Sequence, residues 1–91
     1  TTGDTVQKNA YPGGSLKVKA YCKDGKFNGI VKKYNENQKI RLKATYQNGV
    51  LNGTTKLHDA NGSLIYRDEY TNGQRTGRFI YNDKGEMVPA P

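Results

Sequence analysis

Lys23-Asp24-Gly25-Lys26-Phe27-Asn28-Gly29, Gln47-Asn48-Gly49-Val50-Leu51-Asn52-Gly53 and Thr71-Asn72-Gly73-Gln74-Arg75-Thr76-Gly77 are three versions of one phrase, an Asp/Asn-Gly followed four residues later by Gly. The first Gly falls at 25, 49 and 73, a step of 24 residues. Self-similarity at a fixed step of this length marks a chain assembled from stacked supersecondary units.

The residues around the phrase keep the same step. Leu16, Ile40 and Leu64 correspond, as do Val18, Leu42 and Tyr66, and Cys22, Tyr46 and Tyr70. After the second Gly come 30–34, 54–58 and 78–81, leading into Asn37-Gln38, Asn61-Gly62 and Lys84-Gly85, with the third unit one residue shorter. Each unit reads as two strands. The first, such as 16–22 or 40–46, alternates apolar and polar residues with period two, the mark of a half-buried strand. Asp-Gly or Asn-Gly then supplies the positive φ of a tight reversal. Hairpins joined by such short links are antiparallel neighbours. The expected fold is therefore all-β: an elongated, twisted antiparallel meander of about six short strands from three 24-residue β-hairpin repeats.

The repeat domain is expected over 14–87. Residues 1–13 form an N-terminal segment, disordered or an end cap, in which 1–10 show no pattern and Tyr11-Pro12-Gly13-Gly14 resemble the tail of an earlier copy. Gly85-Glu86-Met87 begin a fourth copy that stops, and 88–91 form a tail. Hydrophobic residues make up 33% of the 91, with 7 Tyr and no Trp. Stability must therefore come from a thin apolar layer, backbone ladders and turns.

Alternate side chains of a strand face opposite ways. Leu16, Val18, Ala20 and Cys22 share the core face with Ile40, Leu42, Ala44 and Tyr46, and with Leu64, Tyr66 and Tyr70. A single sheet leaves such a face to be covered by curling, by the first ten residues, by a second copy of the chain or by a partner. The opposite face carries Lys17, Lys19 and Tyr21, then Arg41 and Lys43, then Arg67. Lys19, Lys43 and Arg67 are equivalent, at roughly 10 Å intervals if equivalent strands lie two spacings apart. The pattern leaves open which face Lys32 and Lys56 join. With 15 Lys and Arg against 8 Asp and Glu, a formal charge of +7, this stripe suits an acidic protein surface, a lipid headgroup or a nucleic-acid backbone. The competing reading is a solvated face that keeps sheet surfaces from aggregating.

Catalysis is not expected. Cys22 and His58 are each unique, but Cys22 takes the place of Tyr46 and Tyr70, and His58 that of Tyr34 and Tyr81. Asp68 and Glu69 are adjacent on a strand and point to opposite faces. Asp24, Asp59 and Asp83 fall in turns, where Asp caps local backbone groups. A single cysteine excludes an intrachain disulfide and a multi-Cys zinc site. No cofactor or metal motif is visible. No run of about 18 apolar residues or export-signal core occurs.

The period, the paired glycines and the Tyr-x-x-x-Gly link from Tyr81 to Gly85 resemble the MORN-repeat superfamily, more particularly the bacterial variant of YwqK-type antitoxin proteins. The likeness spans about 14–87; the Trp of the commonest MORN pattern is missing, and Gln38 stands where the linker usually has Gly. The resemblance implies a non-catalytic protein-binding module of antitoxin, immunity or scaffold type, with an acidic toxin or effector as partner. The basic-face residues that would make the contact are Lys17, Lys19, Tyr21, Arg41, Lys43 and Arg67. Peripheral binding to anionic membrane lipids is the alternative, a homodimer through the apolar face is a further partner, and nucleic acid is disfavoured because no named binding motif occurs. The sequence leaves the compartment open between the bacterial cytoplasm and, should a signal sequence have preceded Thr1, the periplasm.

Overall fold

The computed structural model describes residues 4–91, and the expectation for the first three residues lies outside them. Eight strands run in chain order: β1 Asp4–Ala10, β2 Leu16–Lys23, β3 Lys26–Tyr34, β4 Ile40–Gln47, β5 Val50–His58, β6 Leu64–Thr71, β7 Gln74–Tyr81 and β8 Met87–Pro89. They form one open antiparallel sheet in the order β1 to β8, a pure meander. It is one layer thick, 47 × 35 × 14 Å. The three repeats are β2–β3, β4–β5 and β6–β7.

Two strands exceed the six expected. β1 pairs with β2 along its whole length, so residues 4–10 extend the sheet and do not lie over its apolar face. Lys8, Lys32 and Lys56 stand 24 residues apart, as do Val6, Ile30 and Thr54; β1 is thus the second strand of a preceding half-unit. At the other end Met87, Val88 and Pro89 pair with Tyr81, Ile80 and Phe79, and the Ala90 amide donates to the Arg78 carbonyl at 2.7 Å. The fourth copy that begins at Gly85 thus contributes the short strand β8.

Two kinds of reversal fix the register. At one end of the sheet, Asp24-Gly25, Asn48-Gly49 and Asn72-Gly73 each take positive φ at both residues, near 50° and then 80–85°, the two-residue geometry whose twist matches that of its strands. A bulge follows. Between the Ala20–Val31 and Cys22–Phe27 pairs, three residues of β3 face Tyr21 alone, and between Ala44–Thr55 and Tyr46–Leu51 three residues of β5 face Thr45. Gly29 and Gly53 sit inside these bulges with φ of 110° and 113°. In the third unit the bulge holds one residue fewer, since Asp68, Glu69 and Tyr70 pair with Arg78, Gly77 and Arg75. That is where the missing residue is absorbed.

The bulges also lock unit to unit. Asn28 Oδ1 accepts from the Asn48 amide at 3.1 Å and Asn52 Oδ1 from the Asn72 amide at 3.0 Å, while the Gly49 and Gly73 amides donate to the Phe27 and Leu51 carbonyls. At the opposite end, turns opening at Tyr11, Asn35, Asp59 and Asn82 repeat one hydrogen-bond scheme. Their fourth residue has positive φ: Gly14, Gln38, Gly62 and Gly85. Gln38, at φ 73°, carries a side chain where the backbone favours none.

The core is thin, as composition requires. Among the described residues only Ala20, Cys22, Val31 and Ala44 are buried apolar residues. Three of these belong to a cross-strand row, Gln7-Ala20-Val31-Ala44-Thr55-Asp68-Arg78, on one face. Small side chains here let the longer flanking ones close over the backbone. Phe27 meets Tyr46 edge-on, centroids 5.3 Å apart.

Asp68 breaks the apolar pattern. It occupies the position of Ala20 and Ala44, and at 1% exposure it is the largest fully buried side chain among the described residues. Burying a carboxylate requires a partner. Arg78, directly across the ladder, supplies one through Nε to Oδ1 at 2.7 Å and Nη2 to Oδ2 at 2.9 Å, and its guanidinium lies 4.0 Å from the Tyr66 ring centroid. The hydrogen bonds to Asp68 hold the Arg78 pKa well above its ordinary value. The third unit thus replaces an apolar contact by a forked ion pair.

Two stability predictions follow from these sites. Gln38→Gly relieves the left-handed backbone and raises stability by about 0.5–1 kcal/mol in urea unfolding; no gain would mean the Gln38 side chain compensates the strain. Asp68→Asn keeps the shape but removes the charge, costing about 1–3 kcal/mol. A raised arginine pKa contributes stability below its unfolded value and loses it only above the folded one, so the Arg78 side of the penalty should stay constant between about pH 6 and pH 9. Melts across that range check both the loss and its flatness.

Candidate functional site

The register turns the expected stripe into a continuous line. Lys8 pairs with Lys19, Lys19 with Lys32, Lys32 with Lys43, Lys43 with Lys56 and Lys56 with Arg67. Directly paired residues share a face, so six cations on six consecutive strands form one row perpendicular to the chain direction. At about 4.8 Å per strand it spans roughly 24 Å. Phe79, next in register after Arg67, ends the row, with the guanidinium 4.6 Å from its ring centroid.

Lys19, Lys43 and Arg67 take their expected places, and Lys32 and Lys56 fill the gaps between them. The interval between cations is therefore about half the one anticipated, well inside a Debye length. Like charges directly opposite on a sheet repel. Only Arg67 has a carboxylate partner, its Nε lying 3.2 Å from Glu69; among the described residues no ion pair relieves the five lysines. Lys19 to Arg67 are half-buried, as long cationic side chains are when their stems cover neighbouring surface.

The other three expected residues sit beside the row. Lys17 and Arg41 fall at irregular steps of the ladder near the longer turns and are engaged locally, Lys17 Nζ 5.7 Å from the Tyr11 ring centroid and Arg41 Nη1 donating to the His58 carbonyl at 2.9 Å. Tyr21 is exposed, with Lys19 Nζ 5.6 Å from its ring centroid. Val6, paired with Tyr21, and Ile30 are exposed on this same face. These three line a hollow of about 670 Å³ with Lys23, Asn28 and Gly29. A second depression, of about 310 Å³, lies on the other side of Ile30 among Lys43, Thr45, Thr54, Lys56, Arg67 and Glu69. Thr54 donates its hydroxyl to Glu69.

Sequence reading missed Lys8, Val6 and Ile30. The signal was present in the 24-residue steps 8–32–56 and 6–30–54, but it emerges only once the phase of the repeat is carried back past Tyr11.

Cys22 and His58 are not brought together. Cys22 is buried on β2 beside the Asp24-Gly25 turn; His58 ends β5, three strands away and at the opposite end of the sheet, with Nδ1 3.1 Å from the Gly62 carbonyl. Asp59 caps its turn, accepting from the Asn61 and Ser63 amides. Among the described residues no cluster of three His, Cys, Asp or Glu side chains could hold a metal ion. No protein-family model matches the chain, and neither a curated protein nor a solved structure is similar enough to count as a relative.

The row makes a stability prediction of its own. Lys43→Glu exchanges two repulsive neighbours, Lys32 and Lys56, for two attractive ones and should raise the melting midpoint by about 2–8 °C at low salt. The gain should shrink in about 1 M salt. An unchanged low-salt midpoint would mean the lysine ends already splay beyond one another's field.

Proposed function

We propose that this chain is a non-catalytic binding module that engages the acidic surface of a partner protein through the six-cation row. The observation that carries the proposal is the unrelieved line of lysines from β1 to β5, continued by Arg67. A face serving only solubility gains from charges interspersed in sign, whereas this one concentrates a single sign at the closest spacing a sheet offers. An anionic surface laid against such a line relieves its self-repulsion, and the line steers that surface in from a distance. The resemblance to MORN-type antitoxins suggests the specific form: an antitoxin, immunity or scaffold protein whose partner is a toxin or effector.

The test is affinity capture of the product of the adjacent gene by the wild-type chain and by a Lys19→Glu, Lys43→Glu, Arg67→Glu variant. The expected result is capture by the wild type and a loss of about tenfold or more in the variant. Undiminished capture by the variant would remove the row as the contact. Failure to capture, combined with salt-sensitive sedimentation with anionic but not neutral liposomes, would transfer the face to membrane binding.

A further inference from the structure

The row is not chemically uniform along its flank, and the difference specifies what should lie on it. Toward the Asp/Asn-Gly turns, Val6, Tyr21 and Ile30 each stand two residues along their strand from a row cation, Lys8, Lys19 and Lys32 respectively. On a strand that places each apolar group about 7 Å to one side of the row, on the same face. The hollow they line over β1–β3 adjoins the depression over β3–β6, and both share Ile30. In that second depression the flanking groups are Thr45, Thr54 and Glu69, the Thr54 hydroxyl donating to Glu69, beside Lys43, Lys56 and Arg67. On this flank the face therefore presents an apolar seat at one end and, at the other, a seat lined by Lys43, Lys56 and Arg67 and bounded by Glu69.

We propose that the partner contributes an extended acidic peptide segment that crosses the strands along the row, one apolar side chain seated in the Val6–Tyr21–Ile30 hollow and its carboxylates spread from Lys32 to Arg67. This occupant rests on the protein-binding function proposed above and adds its polarity and composition. About seven extended residues span the row's roughly 24 Å. Side chains on one side of such a segment recur every 6.8 Å or so, so about three carboxylates lie along the four cations from Lys32 to Arg67. Lys43 and Lys56 clasp one carboxylate over the depression; Arg67, already held by Glu69, marks the far limit of the acidic run.

Two other polyanions fit less well. A lipid surface is entered by apolar groups spread along the whole contact, whereas on this flank Ile30 is followed by Thr45, Thr54 and Glu69. Single-stranded nucleic acid is held by successive aromatic platforms, but Tyr21 is the only aromatic ring in the hollow and Phe79 lies against the Arg67 guanidinium.

The deciding experiment uses two synthetic ten-residue peptides of equal charge, Glu at alternate positions and either Leu or Ser near one end, titrated by fluorescence anisotropy in low salt. The Leu peptide should bind about tenfold more tightly. Ile30→Ser, and independently Tyr21→Ser, should erase the difference and leave the Ser peptide unaffected. Both sites are exposed, and circular dichroism verifies that each variant is folded. Lys32→Glu with Lys56→Glu should weaken both peptides alike. Equal affinity for the two peptides, with both weakened by the lysine variant, would overturn the apolar seat while leaving the basic face as the contact. No binding of either peptide, or tighter binding of an oligonucleotide of equal charge or of anionic vesicles, would overturn the segment as the occupant.

Discussion

Everything in this protein depends on cross-strand register, and register depends on a two-residue reversal coupled to a bulge. Asp24-Gly25, Asn48-Gly49 and Asn72-Gly73 close each hairpin with both residues at positive φ, which leaves no freedom for the pairing to slip. The bulge that follows inserts extra residues on the returning strand, and its asparagine caps the reversal of the next unit. Each hairpin therefore carries the template that positions its neighbour. With only four buried apolar residues among those described, this keyed backbone and not a hydrophobic interior specifies the sheet.

The same register produces both faces. On one, short side chains at Ala20, Val31, Ala44 and Thr55 fall in line and are closed over by larger neighbours. On the other, lysines at equivalent steps of two strand series interleave until no strand from β1 to β6 lacks a cation. A slip of one residue would exchange the faces, placing lysines in the thin core. The charge row is thus inseparable from the apolar row behind it, and its self-repulsion is borne by the ladder that aligns both. That a marginal fold keeps its cations at the closest spacing is the physical ground for reading them as a contact surface.

The Asp68–Arg78 pair shows how tolerant the repeat is. Within the same backbone frame, one unit buries Ala20 against Val31, another Ala44 against Thr55, and the third a carboxylate against a guanidinium that also stacks on Tyr66. The exchange succeeds because the two charged positions are directly paired, so each solvates the other. It also distinguishes the final unit, where the sheet thins to the three residues of β8 and a forked ion pair does what apolar packing does elsewhere.

Much of this was legible in the chain itself. The 24-residue step, the strand alternation and the Asp/Asn-Gly signals determined an all-β meander, its turns and the core face, because these are local properties of φ, side-chain period and spacing. They also sorted Lys19, Lys43 and Arg67 onto one face. Three things were decided only in the folded sheet. The bulge at Gly29 and Gly53 set which residues of the returning strands oppose the first strands, and that brought Lys32 and Lys56 into the row. Pairing along β2 made a strand of residues 4–10, whose own alternation is too weak to announce one, and so added Lys8 and Val6. The partner of Asp68 required knowing that Arg78, beyond a turn and a bulge, lies directly across from it. Pairing across a bulge depends on the backbone path between strands, and the identities of the side chains do not encode that count one by one.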